Sequence, residues 1–566
     1  SHPKTLTPMS ELSPHPNMPE PVYKTLRKVE AELQTTSLKP LSGIVIGMVA
    51  AMSGVLFGFD ASIAAACGDS VNTHFDITQS PGLVGLWVGC VPLGALFGAM
   101  LGGKVSSKLG RKRGLLLNAF LFIAGIGLAA LSPSFFVFVI ARLLMGLAIG
   151  NSAVITPMYM AEVAPPESRG RILFMYQLSI VIGILVSFIV GVAVDTLIPN
   201  NDLNWRVMIA IGLIPALIFL FGMLRMPNSP RWLIETGKFA PAHKILIRMM
   251  GLDKARKTFG EIHQATQSNE SVSFKSIFGK LFFPVILLGF FLQFFQQSTG
   301  INADMYFGPE IFREGGFDKT ASMWAQVAMG SVNLLATIAS IFMVDRLGRR
   351  KLMMIGVSGI VVMLCVQSYL FHVYDSQQSA ATSHSSSSQV TQATQRHVLP
   401  NVGGAVIHKG RVQTTTQETT SEGVDSKTPK GPSVSSATAG SSSNQTITYL
   451  IFGSILLYIV FFAISAGPLC WCIISEIFPM RLRGIGMSIA VAANWLVDYF
   501  VSQLFPVMKQ DLGMTVTTLI YAGFTTLGLA LAAKFLPETK GVPLEEIERN
   551  IYAGKPLREI GIPSGK

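Results

Sequence analysis

Three side-chain amides and a phenol interrupt an apolar stretch at Gln296-Gln297-Ser298-Thr299-Gly300-Ile301-Asn302-Ala303-Asp304-Met305-Tyr306. The run follows Leu287–Phe295, apolar except for Gln293, and leads into Phe307-Gly308-Pro309. A polar group in hydrocarbon costs on the order of several kcal/mol unless it finds a partner. Gly300 and Pro309 favour a broken helix, and irregular backbone at membrane depth is tolerated where it lines a cavity. Amides donate and accept hydrogen bonds without charge, which suits a ligand covered in hydroxyls. The alternative is that they bond one helix to the next. A second feature is Asp60, in Leu56-Phe57-Gly58-Phe59-Asp60-Ala61, in the middle of the first apolar segment. An ionised carboxylate there is costly unless paired. Arg142, in Arg142-x-x-x-Gly146-x-x-x-Gly150, is the basic residue deep enough to answer it. Burial opposes the charge on Asp60 and a neighbouring guanidinium favours it. A group balanced between those effects can take up a proton on one side of a membrane and release it on the other. The alternative is a static ion pair locking two helices. The Gly146/Gly150 spacing suits close helix packing.

These residues must be held by membrane-spanning helices. Of 566 residues, half are apolar and 13% charged, and the mean hydropathy is positive, which places the chain among polytopic membrane proteins. The net charge of +12 lies in short loops between apolar runs, where it orients spans and does not bind a polyanion; no nucleic-acid partner is expected. Five cysteines without metal spacing give neither a disulfide framework nor a metal site. Allowing about 20 residues per span, twelve are expected, at 42–66, 83–104, 114–131, 134–158, 171–195, 205–226, 280–312, 321–345, 351–373, 447–474, 484–506 and 513–536. Lys and Arg follow spans 2, 4 and 8, whereas the loops after spans 1, 3 and 5 carry none. That bias puts both termini in the cytoplasm of a multi-pass protein of the plasma or bacterial inner membrane.

The spans divide into an amino-terminal half (42–226) and a carboxy-terminal half in two parts (280–374 and 447–536). A polar, Pro-rich tail (1–41), without a signal-peptide pattern, is expected to be poorly ordered, and residues 537–566 form a second cytosolic tail. Residues 227–279 read as cytosolic linker helices, and 375–446, rich in Ser, Thr and Gln, as a disordered extracellular insert. The halves repeat. Gly-Arg-Lys-Arg at 110 recurs as Gly-Arg-Arg-Lys at 348, an offset of 238; Glu162…Arg169-Gly170 recurs as Glu476…Arg483-Gly484, an offset of 314. The difference, 76, is close to the length of the insert and marks it as an addition to a duplicated six-span unit. Two such halves with a site between them can alternate access.

Gln-Gln-x-x-Gly-x-Asn-x-x-x-Tyr on span 7, together with the repeated charge motifs, resembles the sugar-porter family of the major facilitator superfamily, over about 42–374 and 447–561. The resemblance implies an all-α, twelve-helix major facilitator fold. It also implies a sugar site built from Gln177, Gln296, Gln297, Asn302, Tyr306, Trp471 and Asn494. Asp60 is implied as the proton-coupling residue, tuned by Arg142. Glu162, Arg169, Arg111, Asp345, Arg349, Glu476 and Arg483 are implied as a cytoplasmic gate. In it Glu162 pairs with Arg169, Glu476 pairs with Arg481 or Arg483, and the halves latch together. Ser107 and Asn228 stand where the family pattern has Asp and Glu, which weakens the amino-terminal side of that latch. Ala463, where many eukaryotic facilitators have Glu, and the run Ser475-Glu476-Ile477-Phe478-Pro479 are most similar to the bacterial galactose, arabinose and xylose proton symporters.

The expected function is import of a monosaccharide with a proton, by a monomer in the bilayer. A facilitative uniporter of the same fold is the alternative, and a membrane sugar sensor that does not transport is a third reading; the short carboxy-terminal tail speaks against the sensor. There is no Gly-x-x-x-x-Gly-Lys-[Ser/Thr] loop and no nucleophile elbow. ATP-driven transport, enzyme chemistry and cofactors are therefore not expected.

Overall fold

In a computed structural model the described residues are 19–34, 41–163, 169–267, 279–396, 438–479, 482–542 and 544–562. They fold as helices: α1 (Glu20–Gln34), α2 (Gly43–His74), α3 (Pro81–Leu109), α4 (Arg111–Ala130), α5 (Phe135–Val163), α6 (Arg169–Leu197), α7 (Asn201–Ala210), α8 (Leu213–Arg225), α9 (Pro230–Glu235), α10 (Phe239–Met250), α11 (Leu252–Gln267), α12 (Phe283–Ser298), α13 (Ile301–Glu314), α14 (Lys319–Leu347), α15 (Arg349–Arg396), α16 (Thr438–Ile464), α17 (Ala466–Ile477), α18 (Arg483–Phe535) and α19 (Leu544–Tyr552). Ten stretches among the described residues are long and apolar enough to cross a membrane. The longest, α18, is two spans joined at Gly513, whose φ of 74° breaks the helix. The pair α12–α13 makes one further span, broken at Gly300, so there are twelve spans in two six-helix halves.

The halves are built alike. In the amino-terminal half α3 packs on α5 and α2 on α6; in the carboxy-terminal half α12 packs on α18 and α14 on α16. Between halves, α18 lies against α3 and α14 against α6, two contacts that a two-fold relation exchanges, and α13 meets α2 near the axis. At the end away from the termini, ion pairs tie the halves together: Arg313 with Asp69, and Lys319 Nζ with Asp195 Oδ1 at 2.8 Å. Gln503 Nε2 also donates to the Gly82 carbonyl across the same seam, at 3.0 Å.

At the opposite end a small helical unit has its own core. Val22, Leu26 and Val29 on α1 are buried, the first two against Trp232, Leu233, Leu246 and Phe259 of α9, α10 and α11. For Glu20–Gln34 this corrects the expectation of a poorly ordered tail, since Val22, Leu26 and Val29 recur at helical spacing and give that stretch an apolar face to bury; residues 1–18 and 35–40 lie outside the described residues. Glu30, 4% exposed, anchors it by accepting from His243 Nε2 at 2.9 Å and from Arg256 Nε and Nη2 at 2.8 and 2.5 Å. Burial pushes the Glu30 carboxyl up, but these bonds and charges prevail and hold it at about 2.

The insert differs from expectation at both ends. Helix α15 continues past 375 to Arg396, and α16 begins at Thr438; residues 397–437 lie outside the described residues. Deleting residues 380–440 is expected to leave the initial uptake rate within about twofold, because shortening a connection changes closure entropy by only about 0.6 kcal/mol per doubling of length. Uptake by cells expressing the deletion measures this, and loss of transport would show that the insert acts on the cycle.

Candidate functional site

The broken seventh span sets the first part of the site. Gly300 has φ 84°, a left-handed conformation that ends α12 and restarts the chain as α13, and a Cβ there would lie 2.7 Å from the Tyr521 ring. A second irregularity falls at Phe307 (φ −118°, ψ 15°), just before Pro309. Proline has no N–H for the carbonyl four residues back, that of Met305, and Gln326 Nε2 of α14 donates to it at 3.2 Å instead.

On the face of α12 before the break, three amides form a network with Asn494 of α18. Asn494 Nδ2 donates to Gln293 Oε1 and Gln296 Oε1, both at 2.7 Å, and Asn494 Oδ1 accepts from Gln297 Nε2 at 3.0 Å. Gln296 Nε2 also donates to the Ala466 and Gly467 carbonyls at 3.0 and 2.8 Å, where span 10 breaks between α16 and α17. Both readings of these residues therefore apply, since Gln296 joins three helices. Gln297 Oε1 and Gln293 Nε2, by contrast, are buried and have no partner among the described residues. Gln293 belongs to the network although the sequence reading passed over it; it stands one turn before Gln296 and Gln297, the spacing that puts it on their face.

Asn302 and Tyr306 face a different partner. Tyr306 Oη donates to Asp498 Oδ2 at 3.1 Å, and Asn302 hydrogen-bonds the same carboxylate. Asp498 is four residues after Asn494 on α18 and fully buried. Sequence reasoning missed it, and also Asp304 on α13; the signal was available, because a carboxylate inside an apolar span is a functional candidate wherever it stands. Gln177 on α6 and Trp471 on α17 are half-buried and make no hydrogen bond to the amide network among the described residues.

In the amino-terminal half Arg142 Nη1 donates to Asp60 Oδ1, joining α5 to α2, and each residue is 2% exposed. The guanidinium also lies over the Trp87 ring, 5.9 Å from its centre. A cavity of about 10 Å³, the volume swept by one water, adjoins Asp60 and is lined by Leu56, Phe59, Phe122 and Met145. Tyr306 is within electrostatic reach of both Asp60 and Arg142, so the span-7 tyrosine stands between the ion pair of one half and the carboxylate of the other.

The charge motifs at the terminus-bearing end form two equivalent triads. Glu162 accepts from Arg111 Nη2 at 2.8 Å and Ser229 Oγ at 2.5 Å; Glu476 accepts from Arg349 Nη2 at 3.0 Å and Thr539 Oγ1 at 2.5 Å. The described partners are thus Arg111 and Arg349, where the sequence reading had Arg169 and Arg481 or Arg483. The reason is position: Arg111 and Arg349 each open the helix that follows a loop, which aims them at the end of the fourth span of their own half. The side chains of Arg169 and Asp345, and Arg481 as a whole, lie outside the described residues. These triads tie elements within a half. Glu538 adds bonds from the N–H groups of Arg349 and Arg350 at 3.0 Å each, an anion at the start of α15.

Residues 46–388 and 433–551 match the family described as "Sugar (and other) transporter". The chain belongs to that family. The transporter is 32% identical over 537 residues to the galactose-proton symporter of Escherichia coli K12, covering 94% of this chain and 99% of that one. It is 29% identical over 511 residues to the major myo-inositol transporter IolT of Bacillus subtilis, covering 89% and 93%. Its fold is similar to the xylose transporter XylE of E. coli in a partially occluded inward-open conformation, with a TM-score of 0.68 at 28% identity over 88% of this chain and 99% of the other. The transporter is therefore a twelve-span major facilitator protein and not an enzyme.

Proposed function

We propose that this transporter imports a monosaccharide together with a proton, across a plasma or bacterial inner membrane, by alternating access between its two halves. The single observation that carries this is the pairing of sites across the axis: an amide-rich broken helix in one half, an Asp60–Arg142 pair in the other, and Tyr306 within electrostatic reach of that pair. Neutral amides exchange their bonds with each other for bonds to hydroxyls at little electrostatic cost. The relatives named for galactose-proton symport and for myo-inositol support a hydroxyl-rich, uncharged substrate. With both termini cytoplasmic, the end closed by the Asp69–Arg313 and Asp195–Lys319 pairs is the outer one, a state that follows sugar capture from outside. One copy of the chain holds both sites, so it works as a monomer.

Uptake of radiolabelled D-galactose, D-xylose and myo-inositol into proteoliposomes tests the reading. A pH gradient, acid outside, is expected to drive accumulation of at least one of them. Equilibration without accumulation would make the protein a uniporter, and binding without uptake or exchange would make it a sensor. Within the site, Gln297→Ala is expected to weaken sugar binding by about 1–3 kcal/mol, or roughly 5- to 150-fold in Kd, while folding is retained. Gln296→Ala is expected to weaken binding and also lower thermal stability, because its amide ties α12 to the break in span 10. Calorimetric titration of the purified variants reads both effects, and unchanged affinity in Gln297→Ala would move the sugar elsewhere.

A further inference from the structure

Asp498 is 0% exposed in the carboxy-terminal half, on the face of α18 that carries Asn494. Its partners are Tyr306 Oη at 3.1 Å, Ser502 Oγ at 3.4 Å and the side chain of Asn302, all neutral. Among the described residues no Lys, Arg or His pairs with it. Of the helices packed on α18, α13 carries Asp304, within electrostatic reach of Tyr458 and Tyr521, α5 carries Arg142, and the others supply no charge at this level. Helix α3 has none between Pro81 and Gly103, α12 none at all, and α15 none between Leu352 and Tyr374 apart from His372. Asp60 of α2 and Arg142 of α5 act electrostatically on Tyr306, which donates to Asp498. Lys509, further along α18, is held by Glu310 and Glu314 at 3.1 and 3.2 Å.

That environment differs from the one around Asp60. Asp60 has a guanidinium in direct contact, which favours its charge as long as the pair is closed. Asp498 has only neutral donors, so its charged form depends on keeping them. Two of the three, Asn302 and Tyr306, belong to the run assigned above to the sugar. A sugar hydroxyl that accepts the Asn302 amide or engages Tyr306 takes a donor away from the carboxylate and tips it toward its neutral acid.

We infer that Asp498 is a second proton-binding site of this transporter, filled as sugar binds, so that proton and sugar stabilise each other's binding within the carboxy-terminal half. The inference rests on the sugar reading above. The step is a simple protonation: a hydronium from the open side gives its proton to one Asp498 oxygen, leaving water. The proton returns to water after the sugar has gone, and no other bond is made or broken. By linkage, sugar must raise proton affinity at Asp498 by the same factor that protonation raises sugar affinity.

Calorimetric titration of the full-length purified protein with D-galactose, D-xylose and myo-inositol, in two buffers of different ionisation heat, counts protons taken up per sugar bound. In an Asp60→Asn background, which silences the other carboxylate, sugar binding is expected still to take up a proton. Its affinity should fall towards tenfold per pH unit above a midpoint. Asp60→Asn/Asp498→Asn is expected to bind sugar with no proton uptake and a flat pH profile. Asp304→Asn in place of Asp498→Asn, a carboxylate within electrostatic reach of Tyr458 and Tyr521, is expected to leave proton uptake unchanged. Ser502→Ala removes one donor without touching the amides and is expected to move the midpoint to higher pH, which keeps the test decisive where Asp498→Asn does not fold. No proton uptake by Asp60→Asn, uptake that survives removal of Asp498, or a midpoint unmoved by Ser502→Ala would each overturn the assignment. Failure of the wild-type protein to bind any of the three sugars is a different result, which sinks the sugar reading itself and the linkage with it.

Discussion

Asp60→Asn is expected to remove the part of pH-driven sugar accumulation that Asp60 carries, while sugar still exchanges down its own gradient. The substitution keeps the size of the side chain and its ability to accept from Arg142 Nη1, but it cannot take up a proton. Accumulation ratios in proteoliposomes should fall in Asp60→Asn, and to about one in Asp60→Asn/Asp498→Asn, a loss measured against counterflow of labelled sugar in the same preparations. An Asp60→Asn protein that concentrates sugar as strongly as the wild type would show that Asp60 carries no part of the proton coupling. Arg142→Ala should do more damage, because it leaves the Asp60 carboxylate buried without its countercharge. Breaking such a pair from one side costs about 3–5 kcal/mol, whereas removing both charges costs much less. Asp60→Asn placed on Arg142→Ala should therefore recover much of the lost thermal stability. If the double variant is no more stable than Arg142→Ala alone, the pair is not what holds α2 to α5 at this depth.

The second large effect is expected at a glycine. Helices α3 and α5 cross so closely that a Cβ on Gly150 would sit 1.9 Å from the Ala95 carbonyl oxygen, and one on Gly146 would sit 2.2 Å from that of Val91. Nothing flexible can move aside, since the obstacle is backbone. Gly150→Ala should therefore force the helices apart, which also displaces Arg142 two turns earlier on α5. A loss of about 3 kcal/mol or more is expected, at the upper end of what overpacking costs. Gly453→Ala on α16 is the control, because a Cβ there meets nothing within 4 Å, and alanine is the better helix former by up to about 1 kcal/mol. Thermal unfolding in detergent, followed by loss of the monodisperse chromatographic peak, should separate the two by at least several degrees. Equal stability would mean that the crossing is looser than it stands here.

The Gly146/Gly150 spacing already pointed to close packing, and other local features were equally legible. Hydropathy runs located the spans, because a helix in hydrocarbon must be apolar for about 20 residues whatever it packs against. The six-plus-six duplication could be read from two offsets. Gly300 and Pro309 announced the breaks in span 7, since positive φ and a missing N–H are properties of the residues themselves. Asp60 and Arg142 could be matched in advance because few charges lie that deep.

Partner choice was not legible. Several arginines stand within a few residues of Glu162 and Glu476, and only the course of α4 and α15 decides that Arg111 and Arg349 reach them. Gln296 reads as a sugar ligand in the sequence, but the break in span 10 brings two backbone carbonyls to its amide, which gives it structural bonds as well. The Pro-rich tail holds a helix whose value depends on a linker core more than 200 residues away, through Glu30 and His243. Asp498 gains meaning only when α18 lies against α13 and Tyr306 turns its hydroxyl to it. The sequence by itself thus determined where the chain crosses the membrane, where its helices break and which polar groups are buried, because burial in hydrocarbon constrains each residue separately. Which buried groups meet was decided by tertiary structure alone, because a hydrogen bond between residues 306 and 498 depends on a helix crossing that no local pattern encodes.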